Sequence, residues 1–208
     1  MKYGLKPWLM YTAFKGSFRK QVALLPEEDA SRVMSKARQT YKDILSAIPE
    51  FDSDDRFIIN ILSAALLAAV YMNLHKKPGL AAVTQLYHNG MTNAVMRLFL
   101  KAANNYTPKA QQKLKEQATA SQRKTNPYSW RFEYQPGSEI NEYSAVFSTC
   151  GIKRLFDELG ISEITPAMCS YDYVMADLAG SIFTREFTLA AGGPCCDCHY
   201  RKKPKSYF

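Results

Sequence analysis

Cysteine is missing from the first 149 residues of this 208-residue chain, and acid is nearly missing from its middle. All five thiols fall late, at Cys150, Cys169, Cys195, Cys196 and Cys198. The opening Met1-Lys2-Tyr3-Gly4-Leu5-Lys6 has no apolar core of the kind an export leader carries, which predicts a cytoplasmic protein. An odd set of cysteines without a leader reads as thiols, ligands or core residues rather than structural disulfides. No GxSxG, P-loop, HExxH or dinucleotide fingerprint occurs, and no cofactor is expected. Long hydrophobic runs are absent too, with one exception from Phe57 to Leu74. Asn60, Ser63, Asn73 and several alanines weaken that run, and no second one exists to pair with it. It predicts the buried central helix of a bundle and no membrane partner.

What is present is ordinary globular material. Apolar residues make up 47% and charged residues 22%, which excludes a disordered chain, and the length suffices for a real core. The formal charge is +8, and its distribution matters more than its size. Residues 61–125 hold 9 Lys and Arg against Glu116 alone, while residues 126–208 are slightly acidic. Aromatic residues do not interleave with these charges, and no helix-turn-helix or zinc-finger spacing appears. A solvated basic face is expected, with no specific nucleic-acid partner. Assembly into a homo-oligomer is left open.

Residues 1–125 read as helical. Pro26-Glu27-Glu28-Asp29 predicts a helix start, followed by Val33, Ala37, Tyr41, Ile44, Leu45 and Ile48 at helical spacing. Asp52 to Asp55 opens the apolar helix, which His75 to Gly79 closes. Two further helices are expected over residues 80–104 and 108–121. After residue 126 the period changes. Trp130, Phe132 and Tyr134 alternate with polar neighbours as a strand does, and Pro136-Gly137 marks a turn. Tyr143 to Thr149 predicts a second strand, Ile152 to Leu159 a short helix, and Thr165-Pro166 a helix capped by Thr165. Ile182 to Leu189 and Cys195 to Arg201 should pair antiparallel across a Gly192-Gly193 turn, ahead of a loose basic tail from Arg201 to Lys205. The expectation is one α+β domain over 1–208: a helical N-terminal part packed on a C-terminal antiparallel sheet with short helices.

Two stretches hold chemistry-bearing residues. On a helix, Cys169 and Asp172 share a face near the positive end of the dipole, which favours thiolate; a carboxylate beside it can hold a cation or relay a proton. The same pair also reads as a buried cysteine beside a surface aspartate. On a strand, Cys196, Cys198 and Tyr200 face one way, and Cys195, Asp197 and His199 the other. Three cysteines and a histidine so close together suggest metal ligands, or a redox-responsive thiol protein. No CxxC pair is present to wrap a tetrahedral ion, so no metal is assigned. His75 and His88 lack local partner patterns and are expected in surface or capping roles.

These C-terminal residues carry a family resemblance. The strand Tyr143 to Cys150, the CxxD of Cys169 and Asp172, and the Gly-Gly turn before Cys196-Asp197 together resemble the L-2-amino-thiazoline-4-carboxylic acid hydrolases. The apolar stretches Asn60 to Leu62 and Ala68 to Leu74 are similar to that family's central helix. The resemblance implies a C–N hydrolase of cyclic amidines, opening 2-amino-thiazoline-4-carboxylate to a carbamoyl-cysteine. It implies catalytic roles for Cys169, Asp172, Cys196 and Asp197. Cys150, Arg185 and His199 would then contact the small-molecule substrate, with Arg131 as a second candidate for its carboxylate. The family ending tends to be Cys-Asp-Phe-Arg-Phe, so His199 stands at an arginine position, and Cys195 and Cys198 are extra thiols. The ending also resembles the vinyl four reductase domain, which implies instead a non-catalytic module that binds or senses a small molecule.

Overall fold

The helices are ordered by what each can bury. The computed structural model describes residues 1–204; Lys205, the end of the expected tail, lies outside the described residues. Helices α1 (Leu5–Val22), α2 (Ala30–Ala47), α3 (Ile58–Asn73), α4 (Leu80–Met91), α5 (Ala94–Lys101) and α6 (Pro108–Ser121) precede the first strand. Helix α3 is apolar on every side, and every residue from Ile61 to Tyr71 is buried, as a central helix must be. No helix among the described residues is long and apolar enough to cross a membrane. Lys77 closes α3 by donating from Nζ to the carbonyls of Tyr71 and Met72 at 2.8 and 2.9 Å.

Three helix boundaries differ from expectation, the first being that α3 begins at Ile58 and not in the Asp52 to Asp55 run. Helix α2 begins at Ala30 rather than Pro26, because Asp29 caps it, accepting from the Ser31 and Arg32 amides at 2.9 and 3.0 Å. The single helix expected over 80–104 is two. Asn93 interrupts it by capping α5 through the Met96 amide at 3.1 Å, while its own amide nitrogen donates to the Ala13 carbonyl at 2.9 Å.

Strands β1 (Phe132–Pro136), β2 (Glu142–Phe147), β3 (Ser181–Thr184) and β4 (Cys196–Lys202) form one antiparallel sheet in the order β1-β2-β4-β3. Helices α7 (Gly151–Glu158) and α8 (Thr165–Leu178) lie between β2 and β3 in sequence. A continuous core runs from Met10 through α3 to Tyr128, Trp130, Phe156 and Tyr171, so helical and α+β parts share buried side chains. The sheet's inner face is covered by α6 near β1 and by α8 near β3.

Three local expectations are corrected. Thr165 is not a cap: α8 already begins there, following a 3-10 turn from Ser162 to Ile164, and its hydroxyl is buried without a partner. Strand β3 stops at Thr184 rather than Leu189. The Asp197 carboxylate takes the next amides out of the ladder, accepting from Glu186 and Phe187 at 3.1 and 2.6 Å. Arg201 and Lys202 are not loose but belong to β4, and the Lys203 amide donates to Gly180 at 2.9 Å.

Candidate functional site

The pleat decides which C-terminal residues can meet. Register pairs Phe147 with Cys196, Ala145 with Cys198 and Tyr143 with Tyr200, all pointing inward. Asp197 and His199 alternate with them and point outward, where Ser144 Oγ lies 2.7 Å from His199 Nδ1. The outward face has its own groove of about 350 Å3, lined by Ser144, Thr184, His199 and Arg201 among others. None of Cys150, Cys169 and Asp172 lines it, so the sheet separates Asp197 and His199 from the remaining expected site residues.

Under the sheet the others converge. Helix α8 supplies Cys169 and Asp172 from one face, three residues apart as expected. Arg185, just beyond β3, turns inward; its Nη1 donates to Asp172 Oδ2 and its Nη2 to the Cys169 carbonyl, both at 2.8 Å. Its guanidinium also lies over the rings of Tyr173 and Phe183, 5.6 and 5.4 Å from their centroids. Arg185 is thus committed to protein groups and is only 6% exposed in its side chain. The other expected arginine, Arg131, is exposed and donates to the Lys124 carbonyl at 3.1 Å, away from this cluster.

Cys150 enters from the end of β2. It caps α7, its sulfur 3.5 Å from the Lys153 amide, and Gly151 behind it fits against the Tyr128 carbonyl. A Cβ on Gly151 would sit 2.0 Å from that oxygen, so only glycine permits this approach. Cys196 and Cys198 complete the cluster from β4; the electrostatic influence of Cys150, Cys169, Cys196 and Cys198 on one another or on Asp172 marks them as neighbours. Cys195 is a free, half-buried thiol. No group of three or more His, Cys, Asp and Glu among the described residues is placed to hold a metal ion.

The electrostatics of this cluster favour neutral thiols. Burial pushes Cys169 up to about 12, helped by Cys150 and Asp172 and opposed by Arg185. Burial likewise pushes Cys150 up to about 11 and Cys198 to about 12. The helix dipole expected to favour thiolate at Cys169 is outweighed. Asp172 rises to about 6, because burial outweighs the attraction of Arg185. Burial acts against the charge on Arg185 as well, but Asp172 overrides it and keeps the guanidinium charged. The outward Asp197 is the opposite case: burial opposes its charge, yet the Phe187 and Glu186 amides win and lower its pKa.

Asp172 keeps 32% of its side-chain surface accessible although burial governs its acidity. A carboxyl that titrates near neutrality, a fixed guanidinium and several thiols beneath one sheet can hold a cation and shuttle a proton. The profile of L-2-amino-thiazoline-4-carboxylic acid hydrolases matches residues 59–200, well over half of the chain. The chain belongs to that hydrolase family. The match spans α3 through β4 and so takes in every thiol described above. No curated protein and no solved structure matches this family member.

Sequence reasoning missed one residue of this region. His88 on α4 is half-buried, its Nε2 3.0 Å from Ser170 Oγ on α8 and its ring 5.3 Å from that of Tyr171. It lies in no motif, and only tertiary packing brings it close.

Proposed function

We propose that this protein opens a cyclic amidine of the 2-amino-thiazoline-4-carboxylate type to a carbamoyl-cysteine, using Cys169 and Asp172. The observation that carries the reading is the convergence of Cys169, Asp172 and Arg185 beneath the sheet in a chain of this hydrolase family. Asp172 receives the protonated ring, whose charge makes the carbon between sulfur and nitrogen electrophilic. Cys169 enters as a neutral thiol and gives its proton to Asp172 as its sulfur bonds to that carbon. The ring C–S bond then breaks, where the resemblance implies C–N hydrolysis, and the departing sulfur takes the proton back from Asp172. Water next adds to the same carbon and expels Cys169; one of its protons restores the thiol, and the other leaves through Asp172 to solvent as the neutral carbamoyl group forms, so that one water is consumed and the proton brought in by the ring is released. Arg185 is a positioning residue: it aims the Asp172 carboxylate and the Cys169 carbonyl without needing substrate.

Purified full-length protein mixed with 2-amino-thiazoline-4-carboxylate should release a free thiol at a rate proportional to enzyme. Stoichiometric binding with the ligand returned unchanged would instead favour a binding module and end the hydrolase reading.

A further inference from the structure

Helix α5 buries less than a helix of its composition should. Of its eight residues only Leu100 is buried, with Met96 one turn earlier half-buried against the core. Val95, Leu98 and Phe99 stand 57, 74 and 71% exposed. A helix this short is marginal in water, so the two anchors and the Asn93 cap hold out an apolar face that solvent does not favour.

A second exposed apolar set lies beside it. Leu5 and Leu9 on α1 are spaced i,i+4, Trp8 neighbours Leu5 at i,i+3, and all three are exposed. One turn beyond Leu9 on the same stripe, Ala13 packs on the core, and its carbonyl accepts from the Asn93 side chain that starts α5, at 2.9 Å. Helix α5 therefore begins where the exposed stripe of α1 ends. The charge here has one sign. Residues 1–26 and 56–115 contain no Asp or Glu. Lys6 and Lys15 on α1 and Arg97 and Lys101 on α5 are exposed, and none of the four joins a salt bridge among the described residues.

A second copy of the chain does not suit this face, because a two-fold contact would set its cations against their own equivalents. A nucleic acid would meet the cations but leave the leucines and Phe99 in water. A bilayer with anionic headgroups meets both, its phosphates taking the cations and its acyl boundary the apolar side chains. The expectation of no membrane partner concerns a span, which no helix among the described residues could make. A helix lying on the surface needs neither that length nor that continuous apolar run.

We infer that α5 and the first turns of α1 form a docking surface for an anionic membrane, on which the protein rests reversibly with Val95, Leu98 and Phe99 at the acyl boundary. The inference is independent of the ring-opening reaction and uses none of its residues.

The test sediments the full chain with vesicles of phosphatidylcholine alone and of phosphatidylcholine with about one-third phosphatidylserine. Wild type should bind the mixed vesicles at low salt, bind the neutral ones at least about tenfold more weakly, and be released as salt rises. Trp8 emission should shift to the blue on binding; the other tryptophan, Trp130, is already buried. Leu98→Ser with Phe99→Ser should weaken binding about tenfold or more, as loss of buried apolar surface does. Arg97→Gln with Lys101→Gln should weaken it too and flatten its salt dependence. Absence of binding to the mixed vesicles overturns the inference, as does equal binding to neutral ones or binding that survives both double variants. A dimer in sedimentation equilibrium that Leu98→Ser with Phe99→Ser dissolves would assign the face to a second copy and overturn it equally. Each variant is required to match the wild-type melting curve.

Discussion

At the scale of single residues, the main result is that the nucleophile candidate is held in its unreactive form. With Cys169 pushed up to about 12, thiolate is scarce at neutral pH, so the thiol needs a base at the moment of attack. Asp172, at about 6, is ionised above that value and able to accept the proton. Below it the carboxyl is neutral and can neither hold the cation nor act as base. Activity should therefore rise with pH through an apparent pKa near 6, a limb that a kcat/KM profile of wild type will show. The residual activity of Asp172→Asn should lack that limb. Cys169→Ser should lower turnover by about 100-fold or more while the fold is kept, since removing a positioned reacting group costs on that order. Wild-type rates in Cys169→Ser would exclude covalent catalysis by this thiol. Much of this site was legible beforehand: the Cys169 and Asp172 spacing on α8 and the alternation of β4 follow from helical and strand periods. The engagement of Arg185 and the shift of Cys169 were not, because each depends on neighbours distant in sequence.

At the scale of elements, the junction of β2 and α7 is the most constrained point of the site. Gly151 permits the Tyr128 carbonyl to approach α7, and Cys150 caps that helix one residue earlier. Gly151→Ala should destabilise the protein by more than about 1 kcal/mol, since the new methyl collides with backbone rather than a yielding side chain. Thermal unfolding should show a drop of at least several degrees, and an unchanged melting temperature would refute this account of the junction. The same distinction explains which boundaries the sequence revealed. Gly160 ends α7 where expected, with its left-handed φ of +67°. The break at Asn93 and the early end of β3 escaped notice because tertiary contacts, to Ala13 and from Asp197, reinforce or create them.

At the scale of the whole molecule, the helical and α+β parts are joined by buried side chains as well as by chain. The connection at 122–130 is held down throughout. Lys124 pairs with Asp52 and Asp54 at 2.7 and 2.8 Å, Asn126 donates to the Glu50 carbonyl at 3.0 Å, and Ser129 reaches Asp55. Limited proteolysis should spare this connection; two stable fragments divided there would mean that the parts fold independently. The basic segment 61–125 should retain DNA only at low salt and without sequence preference, the signature of counterion release. A selective complex at physiological salt would contradict the proposed enzyme role.

The shortening of β3 has a consequence for how the reactive carboxyl could be retuned. Asp197 points away from Asp172, yet its grip on the Glu186 and Phe187 amides ends the strand beside Arg185, whose guanidinium lies beneath the sheet on Asp172. The solvent side of β4 thus acts as a lever on the sheltered side, one residue's length of backbone being the arm. Replacing Asp197 with Asn should slacken the lever, loosen Arg185 from Asp172 and shift the acid limb of the pH profile without altering any atom that meets substrate. Under the proposed mechanism, such outer substitutions alone would change the acidity of the Asp172 carboxyl, leaving the residues beside it untouched.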